Sequence, residues 1–417
     1  MAALVALALG TSGSGCSRQR AARDERLVIW ESYTNDEHAV FLELVALYRR
    51  MAGVDSPAID VQRLPDDGLL PKLITAAIAH ETPDLCRVNV GSVSRLAYGG
   101  LAMPLDDFGV RAQLDELLPV VAASNTVTLV EPKSGVVTSH VYGVSDQLTC
   151  VALYYNKDLF AAAGISAPPR TLDELVSYAQ RLTDRPAGRY GLALNHTLWW
   201  DLPFLYLFDA DVVTSDNMHA RLGEDNARRA LEFLHRLSAD GIEAGAWRAG
   251  AINPDQGFVN GRYAMVVSGP WNLQTYKGVN FGVALLPGQA KNTSATNIGG
   301  TSMVVLRNSR HQAAAYAFLR FLTSYEAQRV WSERTGQFSV NRRVNAERAP
   351  HLTPAMRTFV EQLTYARARP RLPNYDRLEN IVNPLFYSII EGTMDAGVGL
   401  TKANALIETE ILSELRE

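Results

Sequence analysis

The sequence predicts an α/β protein whose sheets are mainly parallel and flanked by helices on both faces. Short continuous apolar runs alternate with amphipathic segments at helical spacing, and Thr/Ser-x-x-Glu/Gln start signals open several of those segments. The 417 residues are 47% apolar and 20% charged, which is ample material for a core and corresponds to two or three domains. No internal repeat or low-complexity linker is visible, so the domains are expected to be built from segments that cross between them more than once.

Residues 1–15 carry no charge and run through Leu4, Val5, Leu7 and Leu9 to Ser14, Gly15 and Cys16. Small residues before a cysteine suit a lipoprotein signal peptidase, so 1–15 reads as a removed signal peptide, Cys16 as the acylated residue and 16–26 as the anchored linker. The leader lacks a Lys or Arg n-region, which a start site placed too far downstream explains. No other stretch approaches the roughly 20 apolar residues needed to cross a bilayer.

From Leu27 to Trp30 a strand leads to Thr34-x-x-Glu37, where hydroxyl and carboxylate satisfy helix donors reciprocally, and Val40, Phe41, Leu44 and Val45 repeat at helical spacing. Strands follow near Ile59–Leu64 and Asp84–Val90, with a helix near Leu69–Ala79 between them. Val151–Tyr155 and Tyr190–Leu194 read as strands, and Thr171-x-x-Glu174 opens a helix. Ala230, Phe233, Leu234 and Leu237 mark another helix. Strands at Tyr263–Val267 and Met303–Leu306 precede a helix opened by Ser309-x-x-Gln312, and the last ninety residues are helical apart from a loop near Pro370–Tyr375.

Three stretches carry a resemblance. The first is Tyr154–Leu159 with Ala161–Gly164, Pro168, Pro169 and Thr171–Leu175; the second is Phe258, Asn260, Gly261, Ala264, Met265, Ser268, Gly269, Pro270 and Trp271; the third is Gly299 and Gly300 before a strand and the Ala313–Leu322 helix. In this order they resemble the extracellular solute-binding proteins of the maltose-binding type, with leucine at 172 where tryptophan is usual. The resemblance implies a two-lobed periplasmic-binding-protein fold, with 27–148 and 284–327 in one lobe, 149–283 and 328–417 in the other, and a ligand cleft between them. It further implies a monomeric, envelope-anchored sugar-binding component of an ABC importer that hands its ligand to an inner-membrane permease with its ATPase, with no catalysis, cofactor or metal.

The same resemblance points to cleft residues. Trp271 matches a tryptophan that stacks on a sugar ring, and the chemistry fits, since the apolar, weakly positive C–H face of a pyranose meets a negative π-face. Trp199, Trp200 and Asp201 fall where the family places aromatics and an acid; one tryptophan is expected to face the cleft, and the sequence does not say which. Ser32, Tyr33, Glu37 and His38 follow the first strand, at the end where open α/β sheets bind ligands. Asp66 and Asp67 read equally as hydroxyl-binding carboxylates or as acids complementing a helix N-terminus. Asn89, the group Asp146, Gln147 and Thr149, the backbone of Gly299, Gly300 and Thr301, and the late residues Tyr375, Asp376 and Glu379 complete the set. Val88 and Glu379 stand where maltose-binding protein has tryptophans, which favours a shorter ligand such as a mono- or disaccharide.

A formal charge of −4 without a long basic run argues against a nucleic-acid partner. No H-E-x-x-H, C-x-x-C, G-x-S-x-G or P-loop spacing occurs. A glycoside hydrolase with two carboxylates stays open as a rival, as does the same fold binding a glycerophosphodiester, polyamine or peptide, with Arg87 and Arg95 as candidate phosphate partners. Cys86 and Cys150 are either one disulfide or two buried small hydrophobes, the latter favoured by their apolar surroundings.

Overall fold

The computed structural model describes residues 26–53, 57–130 and 136–415; the leader, Cys16 and the linker as far as residue 25 lie outside them. Strand β1 (Arg26–Glu31) is buried from Leu27 onward and lies between β2 (Ala58–Arg63) and β3 (Leu85–Asn89), parallel to both, with Ile29 opposite Val61 and Leu85. Helix α1 (Asn35–Ala52) covers this sheet with Val40, Phe41, Leu44 and Val45, and its capping box is formed as the Thr34–Glu37 spacing predicts. Helices α2 (Asp66–Ile78) and α3 (Ser92–Tyr98) follow β2 and β3. Strands β4 (Thr126–Val130) and β5 (Val137–Val141) form a separate antiparallel pair.

Beside β3 the sheet turns antiparallel. Strand β10 (Thr296–Val305) pairs with β3 and with β6 (Val144–Cys150), and β11 (Ala366–Arg367) closes the far edge. A second sheet has β7 (Ala152–Asn156) between β8 (Met265–Ser268) and β9 (Phe281–Ala284), both antiparallel to it. Its parallel character is confined to single bridges, Tyr190 to Tyr263 and Ala193 to Val266, so the expected Tyr190–Leu194 strand is a bridged run rather than a full ladder. Helices α4 (Leu172–Leu182), α5 (Leu198–Leu207) and α6 (Asp225–Ala239) pack around this second body, α4 capped by Thr171.

Among the described residues the chain crosses between the bodies at Val151 between β6 and β7, along the stretch from β9 to β10, and along residues 367–375 leading from β11 into α10 (Tyr375–Ile390). Two local expectations need correction. Helix α7 (Gln312–Leu322) is capped at His311 without a side-chain bond; the Ser309 hydroxyl accepts from His311 N–H (3.0 Å) and donates to buried Asp84 (2.6 Å), whose other oxygen accepts Val28 N–H. Helix α8 (Tyr325–Thr335) packs on α1, with Trp331 and Tyr33 ring centroids 5.2 Å apart, so it goes with the first sheet rather than with the lobe expected from residue 328. Cys86 and Cys150 are buried and unpaired, and burial raises both thiols.

Candidate functional site

Backbone geometry at the end of β8 builds the aromatic part of the site. A Cβ on Gly269 would lie 2.0 Å from the Trp271 ring, so only glycine lets the indole fold back over the strand end. The turn is held by Asn272, whose amide donates to Ser268 (2.8 Å) and Asp255 (2.9 Å). Trp199 and Trp200 come from the first turn of α5, which α10 fixes: Leu198 N–H donates to Asn383 (2.7 Å), and Trp199 N–H to the Glu379 carboxylate. The three indoles form one cluster, with centroids 4.8 Å apart for Trp199–Trp200, 6.4 Å for Trp199–Trp271 and 6.3 Å for Trp200–Trp271.

Two cavities meet at this cluster. The smaller, about 460 Å³, is walled by Asn89, Ser92 and Arg95 on one side and by Trp199, Trp200, Tyr375 and Glu379 on the other. Arg369 reaches across it, donating to Asn89 Oδ1 while its guanidinium carbon stands 4.9 Å from the Tyr375 ring centre. Burial raises the Glu379 pKa, against the opposing pull of the Trp199 N–H and Arg369. The larger cavity, about 990 Å³, has Trp271, Glu37, Gln147, Thr149 and Gly300 among its walls, facing Phe281, Gln337 and Phe338. Glu37 Oε1 accepts from Gln147 (2.9 Å) and Gln337 (2.8 Å). Burial opposes its ionisation, but the hydrogen bonds from Thr34 and Gln337 and the charge of Arg87 prevail and lower its pKa.

Eleven of the expected residues thus line a cavity: Glu37, Gln147, Thr149, Gly300 and Trp271 the larger, and Asn89, Trp199, Trp200, Tyr375, Asp376 and Glu379 the smaller. Both Trp199 and Trp200 do so, each only partly buried. The others stand elsewhere. Asp201 is fully buried and holds His196 Nδ1 at 2.6 Å. Asp146 is buried and saturated, accepting from Arg87 (2.9 Å), Tyr33 (2.6 Å) and Thr301 (3.0 Å), so Tyr33 and Thr301 are occupied with it. A buried guanidinium needs such a partner, and Arg87, also 3.9 Å from the Tyr33 ring centre, is therefore not open to phosphate. His38 pairs with buried Glu31 (2.6 Å). Asp66 accepts from Ser32 (2.8 Å) at the exposed start of α2, beside exposed Asp67, and none of the three lines either of these two cavities.

In β10, Gly299 lies opposite Thr149 and its neighbour Gly300 opposite Leu148. Gly300 has φ +108°, and a Cβ there would be 2.3 Å from the Gln147 carbonyl. Its carbonyl accepts from Val90 N–H (3.0 Å), and β10 is paired on both sides, with β3 and with β6, so this backbone serves the sheet. Sequence reasoning missed Arg369 and Gln337. The alternation of Arg367, Arg369 and Arg371 around Pro370 was the one available signal for the former, and Gln337 sits in a loop without any.

The arrangement offers apolar ring platforms edged by amides, carboxylates and guanidinium groups, which suits a polyhydroxylated ligand better than a flat apolar one. Among curated relatives, the galactooligosaccharide-binding protein of Bacillus subtilis is 24% identical over 322 residues, covering 73% of this chain and 74% of the relative. The sn-glycerol-3-phosphate-binding periplasmic protein of Rhizobium meliloti is 24% identical over 368 residues, covering 81% and 83%. The same fold occurs in the cyclic alpha-maltosyl-1,6-maltose binding protein of Arthrobacter globiformis (TM-score 0.80, 22% identity, 92% of this chain and 98% of that one). It occurs also in a sugar-binding protein of Xanthomonas citri (TM-score 0.80, 22% identity, 93% and 98%). The profile of one family matches residues 52–329, well over half of the sequence, and on that ground the chain belongs to the bacterial extracellular solute-binding proteins.

Proposed function

We propose that the protein is the solute-capturing component of an ABC sugar importer, holding a neutral carbohydrate between two lobes and passing it unchanged to a membrane permease. The observation that carries this reading is the cluster of Trp199, Trp200 and Trp271 where the two cavities meet. Aromatic faces bind the C–H faces of sugar rings, while neighbouring carboxylates and amides take hydroxyls. The relatives named for galactooligosaccharide and cyclic maltosyl-maltose binding agree with it. On this reading the chain is exported, anchored through Cys16 and monomeric, and it hydrolyses nothing.

One observation favours a second reading, a glycerophosphate-type ligand: Arg95 and Arg369 share the smaller cavity, and one relative is named for sn-glycerol 3-phosphate. Asp376 and Glu379 line the same cavity and balance the two positive charges, so a neutral ligand fits it better. Calorimetric titration of the purified protein with mono- and oligosaccharides and with glycerol 3-phosphate tests both. Saturable heat with sugar supports the first reading; heat with glycerol 3-phosphate alone replaces it with the second. Chromatography of the recovered sugar after long incubation checks catalysis, and product formation abolished by Glu379→Gln would move the protein to the hydrolases.

A further inference from the structure

We infer that a single monatomic anion of the chloride class binds in a small cavity against the 367–375 crossing, held by Arg369, Arg371 and Ser124. The site stands independently of the carbohydrate reading. Its cavity is about 10 Å³, room for about one occupant of atomic size and too little for phosphate or sulfate. Val90 and Gly91, after β3, and Ile298, on β10, wall it beside residues 369–371, and Ser124 reaches it from the helix Pro119–Asn125. It shares Gly91 and Arg369 with the smaller cavity described above and no residue with the larger. Gly91 makes the close approach possible, since a Cβ there would lie 2.3 Å from the Arg369 guanidinium carbon and 2.7 Å from its Nε.

The chemistry of the lining selects an anion. Among the described residues, Arg369 Nε, Arg371 Nε and Ser124 Oγ are cut off from solvent without a hydrogen-bond partner, and Ser124 as a whole is only 5% exposed. All three atoms carry a hydrogen to donate, and buried polar groups are otherwise nearly always paired. Arg367, on the same crossing, meets the carboxylates of Asp209 (3.4 Å) and Asp211. The terminal nitrogens of Arg371 instead donate to the carbonyls of Ala123 (3.0 Å) and Ser215 (2.9 Å). Its charge is thus set against neutral groups, and burial lowers its pKa against the opposing pull of Tyr98, Tyr206 and Asp211. A water molecule would bring two hydrogens that need acceptors, whereas an anion accepts from all three donors and compensates the guanidinium charge. Arg369 also donates to Asn89 across the smaller cavity, so an anion on its Nε fixes the guanidinium that walls that cavity.

The test is thermal melting of the purified protein as sodium chloride or sodium bromide replaces sodium gluconate at constant ionic strength, beside Ser124→Ala and Arg371→Gln. Arg357→Gln on α9 (Pro354–Gln362) controls for the lost charge, since its guanidinium donates to Leu352 O (3.1 Å) and lines none of the three cavities. The melting temperature of the parent and of Arg357→Gln should rise with either halide and level off, as occupation of one site requires. Ser124→Ala should need about tenfold more halide to reach half of the rise, the loss of one hydrogen bond to a charged group, and Arg371→Gln should lose the rise. Bromide-soaked crystals should show an anomalous peak within hydrogen-bond reach of Arg369 Nε, Arg371 Nε and Ser124 Oγ. If Arg371→Gln does not fold, Ser124→Ala and the bromide peak decide. A melting temperature indifferent to halide, a rise that never levels off, a rise unchanged in Ser124→Ala, or a cavity without a bromide peak overturns the inference and leaves water as the occupant.

Discussion

Replacing Trp271 by alanine removes a side chain whose surface is divided almost evenly between protein and solvent, since the residue is 47% exposed. An indole presents about 150–250 Å² for burial, so the exposed half offers a ligand about 100 Å². At about 25 cal/mol per Å² this contact is worth about 2.5 kcal/mol, a weakening of about 60-fold in affinity. Water replaces a lost hydroxyl partner well but does not replace a stacked ring, so no other single contact should matter as much. The effect on the empty protein should be small, because Trp271 stands on a turn that Asn272 ties to Ser268 and Asp255 independently of the indole. Titration calorimetry with the best-binding sugar, paired with thermal melting of the apo protein, reads both quantities. Affinity within twofold of the parent removes Trp271 from the site, and collapse of the apo fold makes it a core residue; either result refutes the reasoning.

Gly269→Ala should displace the Trp271 ring, which a Cβ would approach to 2.0 Å, weakening sugar binding about tenfold or more with a folded circular dichroism spectrum; parental affinity would contradict it. Asp66→Asn and Asp67→Asn should leave affinity within about twofold, because both acids stand at an exposed helix start outside the cavities; a larger loss in the same titration would return them to the site. Burial disfavours the protonated His196, but the Asp201 carboxylate and Glu243 outweigh it and raise the His196 pKa, while burial raises the Asp201 pKa despite the opposing His196. Both shifts make the folded state hold protons more tightly. The His196 contribution is therefore complete below about pH 6.5 and is lost as pH rises through the higher folded pKa. Melting temperature should fall over that interval, and Asp201→Asn should flatten the dependence; an unchanged slope would refute the assignment. Palmitate-analogue labelling should mark the protein but not Cys16→Ser, and equal labelling of both would remove the lipid anchor.

Local sequence determined the elements. The Thr34 and Thr171 caps, the buried Leu27–Trp30 strand and the amphipathic 225–239 helix are set by interactions within a few residues, so periodicity and capping chemistry made them legible. Gly269-Pro270-Trp271 was legible for the same reason, since a turn and its glycine are neighbours in the chain. Which polar residues face the cavities was decided only by tertiary structure. Asp146 and Asp201 read as plausible ligands, yet Arg87 lies 59 residues from the first and, in the fold, faces it across a buried network, while the second turns inward to His196. Gln337 reaches Glu37 across 300 residues, and Arg369 reaches Asn89 across 280. A short-range pattern reports how a side chain sits on its own helix or strand; whether its charge is spent on a partner or left facing a cavity depends on the elements that the crossings at Val151, between β9 and β10, and along 367–375 bring beside it.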